Sequence, residues 1–156
     1  VSFSIDVITF CRKGEPLDQE IARYCELCRP YASVTLNYLK TPGGSSYSIS
    51  ERLTAEARLA AERIRPASVR VAFSEEGKGF TGSIAFARWL SGKMTGGRPI
   101  TFILGGAYGI SPDFKQSCSE VISLSTLTYS HKLALAVLLE QVYRAFTILN
   151  RHPYHK

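Results

Sequence analysis

The sequence predicts an α/β fold: a mostly parallel sheet of five to six strands flanked by helices, in one domain over residues 1–156. Three observations carry that expectation. Segments with the two-residue period of strands alternate five times with segments of helical period. Residues 100–104 are almost wholly apolar and only five long, as a strand buried on both faces requires. The chain has 156 residues, 45% of them hydrophobic and 21% charged, enough to build a core without staples.

Each element follows from local pattern. Phe3-Ser4-Ile5-Asp6-Val7 alternates apolar with polar, and Ile8-Thr9-Phe10 extends the run as the first strand. Over residues 16–28, Leu17, Ile21, Tyr24 and Cys28 recur at helical spacing, with Pro16 in the first turn and Pro30 as the stop. Residues 33–39 alternate again as the second strand. A Gly/Ser-rich loop follows from Thr41 to Ser46. Ser50 is placed as the cap of a helix over Glu51–Arg65, which Pro66 ends.

Residues 69–73 form the third strand, and residues 74–79 a turn. A helix over Ser83–Thr95 ends at Gly96-Gly97. The buried fourth strand, 100–104, runs into Gly105-Gly106-Ala107-Tyr108-Gly109. Ser111-Pro112-Asp113 combines a helix cap with proline at the first helical position. Residues 121–124 are the fifth strand, and a last helix covers His131–Asn150. That helix is apolar around most of its circumference, which demands burial on more than one side and suggests a symmetric homodimer.

Charge and composition narrow the function classes. Nineteen Lys+Arg against thirteen Asp+Glu leave a net charge of +6, and the surplus lies in the last two thirds of the chain. Such a surplus suits a polyanionic partner. The longest apolar run, Leu133–Leu139, has seven residues, far short of the roughly 20 that span a membrane. The first residues carry no secretory pattern, so a cytoplasmic location is expected. Cys25 and Cys28 have metal or redox spacing, but a zinc site needs four ligands and no second such pair exists. On a helix they read as small hydrophobes, with Cys11 and Cys118 elsewhere in the chain.

Ligands of open α/β sheets bind beyond the carboxyl ends of strands. Two such ends attract attention. One is Leu104-Gly105-Gly106-Ala107-Tyr108-Gly109, where glycines let backbone approach a ligand; it matches neither the dinucleotide nor the Walker fingerprint. The other is Ser123–His131, where hydroxyl residues alternate with apolar ones and lead into a helix. Glu140 lies within the apolar set of the last helix, and Arg144, four residues on, is its natural partner. The tail Asn150-Arg151-His152-Pro153-Tyr154-His155-Lys156 interleaves basic and aromatic residues, as nucleobase stacking with phosphate neutralisation would use.

Taken together these segments resemble the ribosomal RNA large subunit methyltransferase H family, within the knotted SPOUT methyltransferases. The matching stretches are Ile103–Gly106 with Gly109–Pro112, Ile122–Thr128 with His131, Leu138–Ala145 and His152–His155. Glu75–Lys78 and Phe86-Ala87 also fit in order. The resemblance implies a trefoil knot over about residues 100–150 and S-adenosylmethionine as cofactor. It implies methylation at N3 of a pseudouridine in large-subunit ribosomal RNA, on assembled ribosomes. It assigns the cofactor to Phe73, Gly105, Leu124, Ser125, Thr126, Leu127, Thr128 and Tyr129. It places His131, Glu140, Arg144, Tyr154 and His155 at the catalytic and RNA-facing end. Departures from the family pattern fall at Phe73-Ser74, Tyr108, Ser130, Leu135 and Lys156. They motivate two alternatives: a weakened relative that only binds RNA or ribosomes, and a SPOUT methyltransferase acting on transfer RNA. A small-molecule α/β enzyme stands behind both, since no fingerprint for one is present.

Overall fold

The sheet is built from β1 (Phe3–Thr9), β2 (Ala32–Tyr38), β3 (Val69–Lys78), β4 (Ile100–Ile103) and β5 (Glu120–Ile122). They alternate with α1 (Asp18–Cys28), α2 (Ile49–Arg63), α3 (Ser83–Met94), α4 (Pro112–Ser117) and α5 (His131–Leu149). This is a computed structural model, and it describes residues 3–14 and 16–156. Val1 and Ser2, which enter the reading of the amino terminus, lie outside the described residues. The strand order is β2-β1-β4-β3-β5, and every neighbouring pair is parallel. The α/β architecture expected from the alternation is thus present, with five strands.

The period of two sorts the core. Ile5, Val7, Ile100, Phe102, Val71 and Phe73 face α1, α3 and α5. Ile8 and Ile103 point the other way, toward Ala60 of α2, Ile64 just beyond it and Phe114 of α4. That second face is thinner and carries polar groups. Nearly buried Asp6 accepts both of Arg65's hydrogen bonds at 2.6 and 2.8 Å, and Ser68 meets Thr101 at 2.6 Å. Such groups stay inside only because each is paired.

Several boundaries differ from the sequence expectation, each for a local reason. The cap of α2 is Ser48, not Ser50: Ser48 Oγ accepts from Glu51 N, and Glu51 returns a bond to Ser48 N, a complete capping box. Leu17 precedes α1 in a left-handed conformation (φ 75°), so the helix starts at Asp18. The third strand continues beyond Phe73 to Lys78, with an irregularity between them where it pairs with Ile122. Residues 74–78, read as a turn, therefore form part of a strand.

Helix α5 also departs from expectation. Leu135, Leu138, Leu139, Val142, Ala145 and Phe146 are buried within the chain, because α1 and α3 flank the helix over the sheet. The chain itself supplies the second side of this apolar helix, so α5 alone does not require a subunit interface. Cys28 is fully buried in the same cluster, and burial pushes its thiol up to about 12 and that of Cys25 up to about 11. Among the described residues no helix is long and apolar enough to cross a membrane.

Candidate active site

The carboxyl ends of β3, β4 and β5 lie side by side, and the segments that leave them enclose a cleft of about 490 Å³. That volume suits a small organic ligand. One wall is the loop after β4. Gly109 N donates to Gly106 O at 3.1 Å, closing a tight turn with Gly109 at φ +79°. The turn is possible because Gly105 has no side chain. A β-carbon there would stand 2.4 Å from Gly109 O and 2.5 Å from Gly109 C, distances at which backbone cannot coexist.

The opposite wall is the segment from β5 into α5. Ser123 Oγ donates to Ser125 O at 2.8 Å, and Ser125 Oγ accepts from Leu127 N at 2.9 Å. These two bonds curl the hydroxyl-rich loop on itself. Leu127 is left 69% exposed on the rim of the cleft. Phe73, at the end of the regular part of β3, packs edge-on against Phe102 and forms the floor.

Of the residues assigned to the cofactor by resemblance, Phe73, Gly105, Leu124, Ser125, Leu127 and Thr128 line this cleft, together with Tyr129. Thr126 does not line it. His131, the first residue of α5, does, and its Nδ1 is buried without a hydrogen-bond partner. A buried ring nitrogen left unpaired costs on the order of 1–3 kcal/mol.

The other four predicted residues gather elsewhere. Arg144 donates to Glu140 Oε1 from Nε at 2.9 Å and from Nη2 at 2.5 Å, the ion pair expected from their spacing. Tyr154 Oη donates to the same oxygen at 3.1 Å, and Gln141 Nε2 donates to Oε2 at 2.7 Å. The Arg144 guanidinium lies over the Tyr154 ring at 4.7 Å, and its Nη1 meets His155 Nδ1 at 3.2 Å. Arginine has only donors, so His155 Nδ1 accepts and the ring proton sits on Nε2. Burial, with the Glu140 charge beside it, raises the Tyr154 hydroxyl well above its ordinary range, so it keeps its proton at neutral pH. Glu140 is nine residues along α5 from His131, roughly 13 Å at 1.5 Å per residue. The quartet and the cleft are therefore separate places within one chain.

Sequence reasoning gave no site role to several residues that shape the site. Glu75 and Glu76 line the cleft beside Lys115, and Tyr108 stands 55% exposed at its edge. The strand-end rule that picked the Gly105 loop and the 123–131 segment would have reached Glu75 and Glu76 had it been applied to the third strand. Glu56 is 4% exposed and sits beneath the glycine loop. Its one signal is a carboxylate in the apolar stripe Leu53, Ala57, Ala60, Ile64 of α2.

A family model described as "Predicted SPOUT methyltransferase" matches residues 3–155. Among curated relatives, a protein of Porphyromonas gingivalis is 42% identical over 113 residues, covering 72% of this chain and 71% of its own length. One of Herminiimonas arsenicoxydans is 33% identical over 141 residues, 90% of each chain. One of Chromobacterium violaceum is 40% identical over 110 residues, covering 67% of this chain and 70% of its own. All three are named "Ribosomal RNA large subunit methyltransferase H".

Proposed function

Because the chain belongs to the SPOUT methyltransferase family, we propose that it methylates large-subunit ribosomal RNA, at N3 of a pseudouridine, with S-adenosylmethionine as the methyl donor. The observation that carries this reading is the convergence of the Gly105 loop and the 124–131 segment on one cleft at the carboxyl ends of parallel strands.

The residues present fit the donor. Phe73, Leu124 and Leu127 offer an apolar wall for an adenine ring, and Ser125 and Thr128 offer hydroxyls. Glu75 and Glu76 bring negative charge to a cleft meant for a sulfonium and an ammonium group. Gly105 permits the tight turn that presents the loop to the cleft. When bound, S-adenosylmethionine supplies an activated methyl group, so the chain's own task is alignment, exclusion of water and management of one proton.

That proton leaves the pseudouridine N3. Glu140 is already saturated by Arg144, Gln141 and Tyr154, and Tyr154 holds its own proton. His131, which lines the cleft at the start of α5, is the proton acceptor in this reading. The quartet of Glu140, Arg144, Tyr154 and His155 positions the tail, with the His155 ring N–H left to face RNA. Since the quartet stands apart from the cleft of its own chain, a homodimer that sets one copy's tail beside the other's cleft completes the site. Assembled ribosomes, and hence the cytoplasm, are the setting this reading implies, and a knot over about 100–150 belongs to it.

Mass spectrometry of large-subunit RNA from cells with and without the protein tests the reading. A methylated pseudouridine present only with the protein is the expected result. An unchanged nucleoside profile overturns it. Supplying ribosomes or transfer RNA with a labelled methyl donor separates the two RNA classes.

A further inference from the structure

Beside the methyl-donor cleft runs a second, larger groove of about 920 Å³. It lies at the carboxyl ends of β1 and β2, and the backbone of Gly106 and Ala107 forms the ridge between the two depressions. His131 opens onto both. The groove carries Arg12, Lys13, Lys40, Arg52 and Lys132, and among the described residues no carboxylate lines it.

Among the described residues six cations have a carboxylate partner, five of them outside the groove. Arg29, Arg65, Lys93, Lys115 and Arg144 each have a carboxylate partner. In the groove only Lys132 does, at 2.5 Å from Asp18. Among the described residues Arg12, Lys13 and Lys40 have no ion-pair partner and are exposed. Arg52 is held by Gly44 O at 3.3 Å and lies 5.8 Å over the Tyr108 ring, and among the described residues its charge too has no ion-pair partner. Unpaired like charges crowded into a concavity repel one another and raise the local potential. The arrangement makes sense if a polyanion shares it.

We propose that this groove seats the phosphodiester backbone of the RNA strand next to the target nucleotide, with Arg12, Lys13, Lys40 and Arg52 as the phosphate-contacting set. The inference rests on the proposed activity for the identity of the polyanion. The shared ridge supplies the connection: a strand in the groove would reach the cleft by crossing Gly106-Ala107, past His131. The contacts are to backbone, so they position the strand without reading its sequence.

The test is binding of a fluorescent RNA hairpin of roughly 30 nucleotides, titrated between about 50 and 200 mM salt. The wild-type chain is compared with a groove variant, R12Q/K13Q/K40Q, and a charge-matched control, R58Q/R63Q/R88Q. The control residues are exposed and lie outside the groove. Loss of three phosphate contacts should lower the slope of log K against log salt by about 2–3 and weaken binding roughly 10- to 100-fold near 150 mM salt. The control should move far less, and S-adenosylmethionine affinity should stay unchanged in both variants. Equal effects of the two triple variants would reduce the groove to general surface charge and overturn the proposal, as would an unaltered slope in the groove variant. Failure of the methylation reading is a different result: hairpin binding through the groove with no methyl transfer to any RNA.

Discussion

Oε1 of Glu56 lies 2.8 Å from the point where a β-carbon on Gly106 would stand. A buried helix carboxylate thus occupies the space that the loop glycine vacates. Thr41 Oγ1 donates to the same oxygen at 2.7 Å, which ties the Gly/Ser loop after β2 to α2 and, through it, to the glycine turn after β4. One carboxylate thus bonds one surface loop and packs beneath another some sixty residues away in sequence.

The glycines flanking that contact should differ in tolerance. In Gly106→Ala the new methyl meets the end of a side chain, which can give; a loss of about 1 kcal/mol is expected. In Gly105→Ala it meets the Gly109 backbone, which cannot; about 2–3 kcal/mol is expected, with S-adenosylmethionine binding lost or weakened more than tenfold. Thermal melts and calorimetric titration of both variants check the order, and equal costs would contradict it.

Removing the tail after Asn150 deletes Tyr154, whose ring packs 4.8 Å from that of Tyr143, and leaves Glu140 with Arg144 and Gln141 alone. The cleft keeps all its lining residues. Methyl transfer should fall by on the order of 100-fold or more while S-adenosylmethionine affinity stays within a few-fold. Steady-state assays alongside calorimetry would show it. Parallel loss of both would count against a site completed by the tail.

Acid should remove a stabilising contact at the sheet edge. Burial pushes the Glu120 carboxyl upward, but Lys93 and Trp89 Nε1, the latter donating at 3.0 Å, outweigh it and hold it below the ordinary 4.5. A lowered carboxyl contributes stability in full above its unfolded value. That contribution declines as pH falls below 4.5 and vanishes beneath the folded value. Glu120→Gln should therefore cost about 1 kcal/mol at pH 7 and progressively less as pH falls below 4.5. Denaturant melts of both proteins across that range would reveal a gap that closes on acidification; a constant gap would exclude the ion pair as its source.

Thiol reactivity offers a check on the role of the cysteine pair. With Cys25 pushed up to about 11 and Cys28 to about 12 by burial, the thiolate is scarce at pH 8, and labelling should run roughly a hundredfold slower than at a free cysteine. Aromatic disulfide reagents should label all four cysteines promptly only after unfolding. Fast native labelling at Cys28 would argue against its place in the core.

Much of the architecture was legible because strand and helix periods are local. The five strands appear where alternation or a short apolar run placed them, and α4 begins at Ser111 with Pro112 at its first position, as its cap spacing demands. Errors fell where two local signals competed. Ser48 and Ser50 are both cap residues by type, and the reciprocal partner Glu51 decides for Ser48. Glu75 to Lys78 carry turn chemistry, yet pairing of Lys78 with Ile122 draws them into β3.

The site divides in the same way. Glu140 and Arg144 are four residues apart on one helix, and helical geometry alone brings them together. Gly105 and Leu127 share a cleft only because β4 lies inside the sheet and β5 at its edge, a strand order that no local pattern encodes. The sequence by itself determined the elements, the ion pair on α5 and the family. Only tertiary structure decided that the tail quartet stands apart from the cleft, that α5 is enclosed by its own chain, and that scattered cations from two strand ends and α2 line one groove. The reason is that hydrogen-bond periodicity acts between residues a few positions apart, whereas convergence depends on the order in which strands are laid side by side.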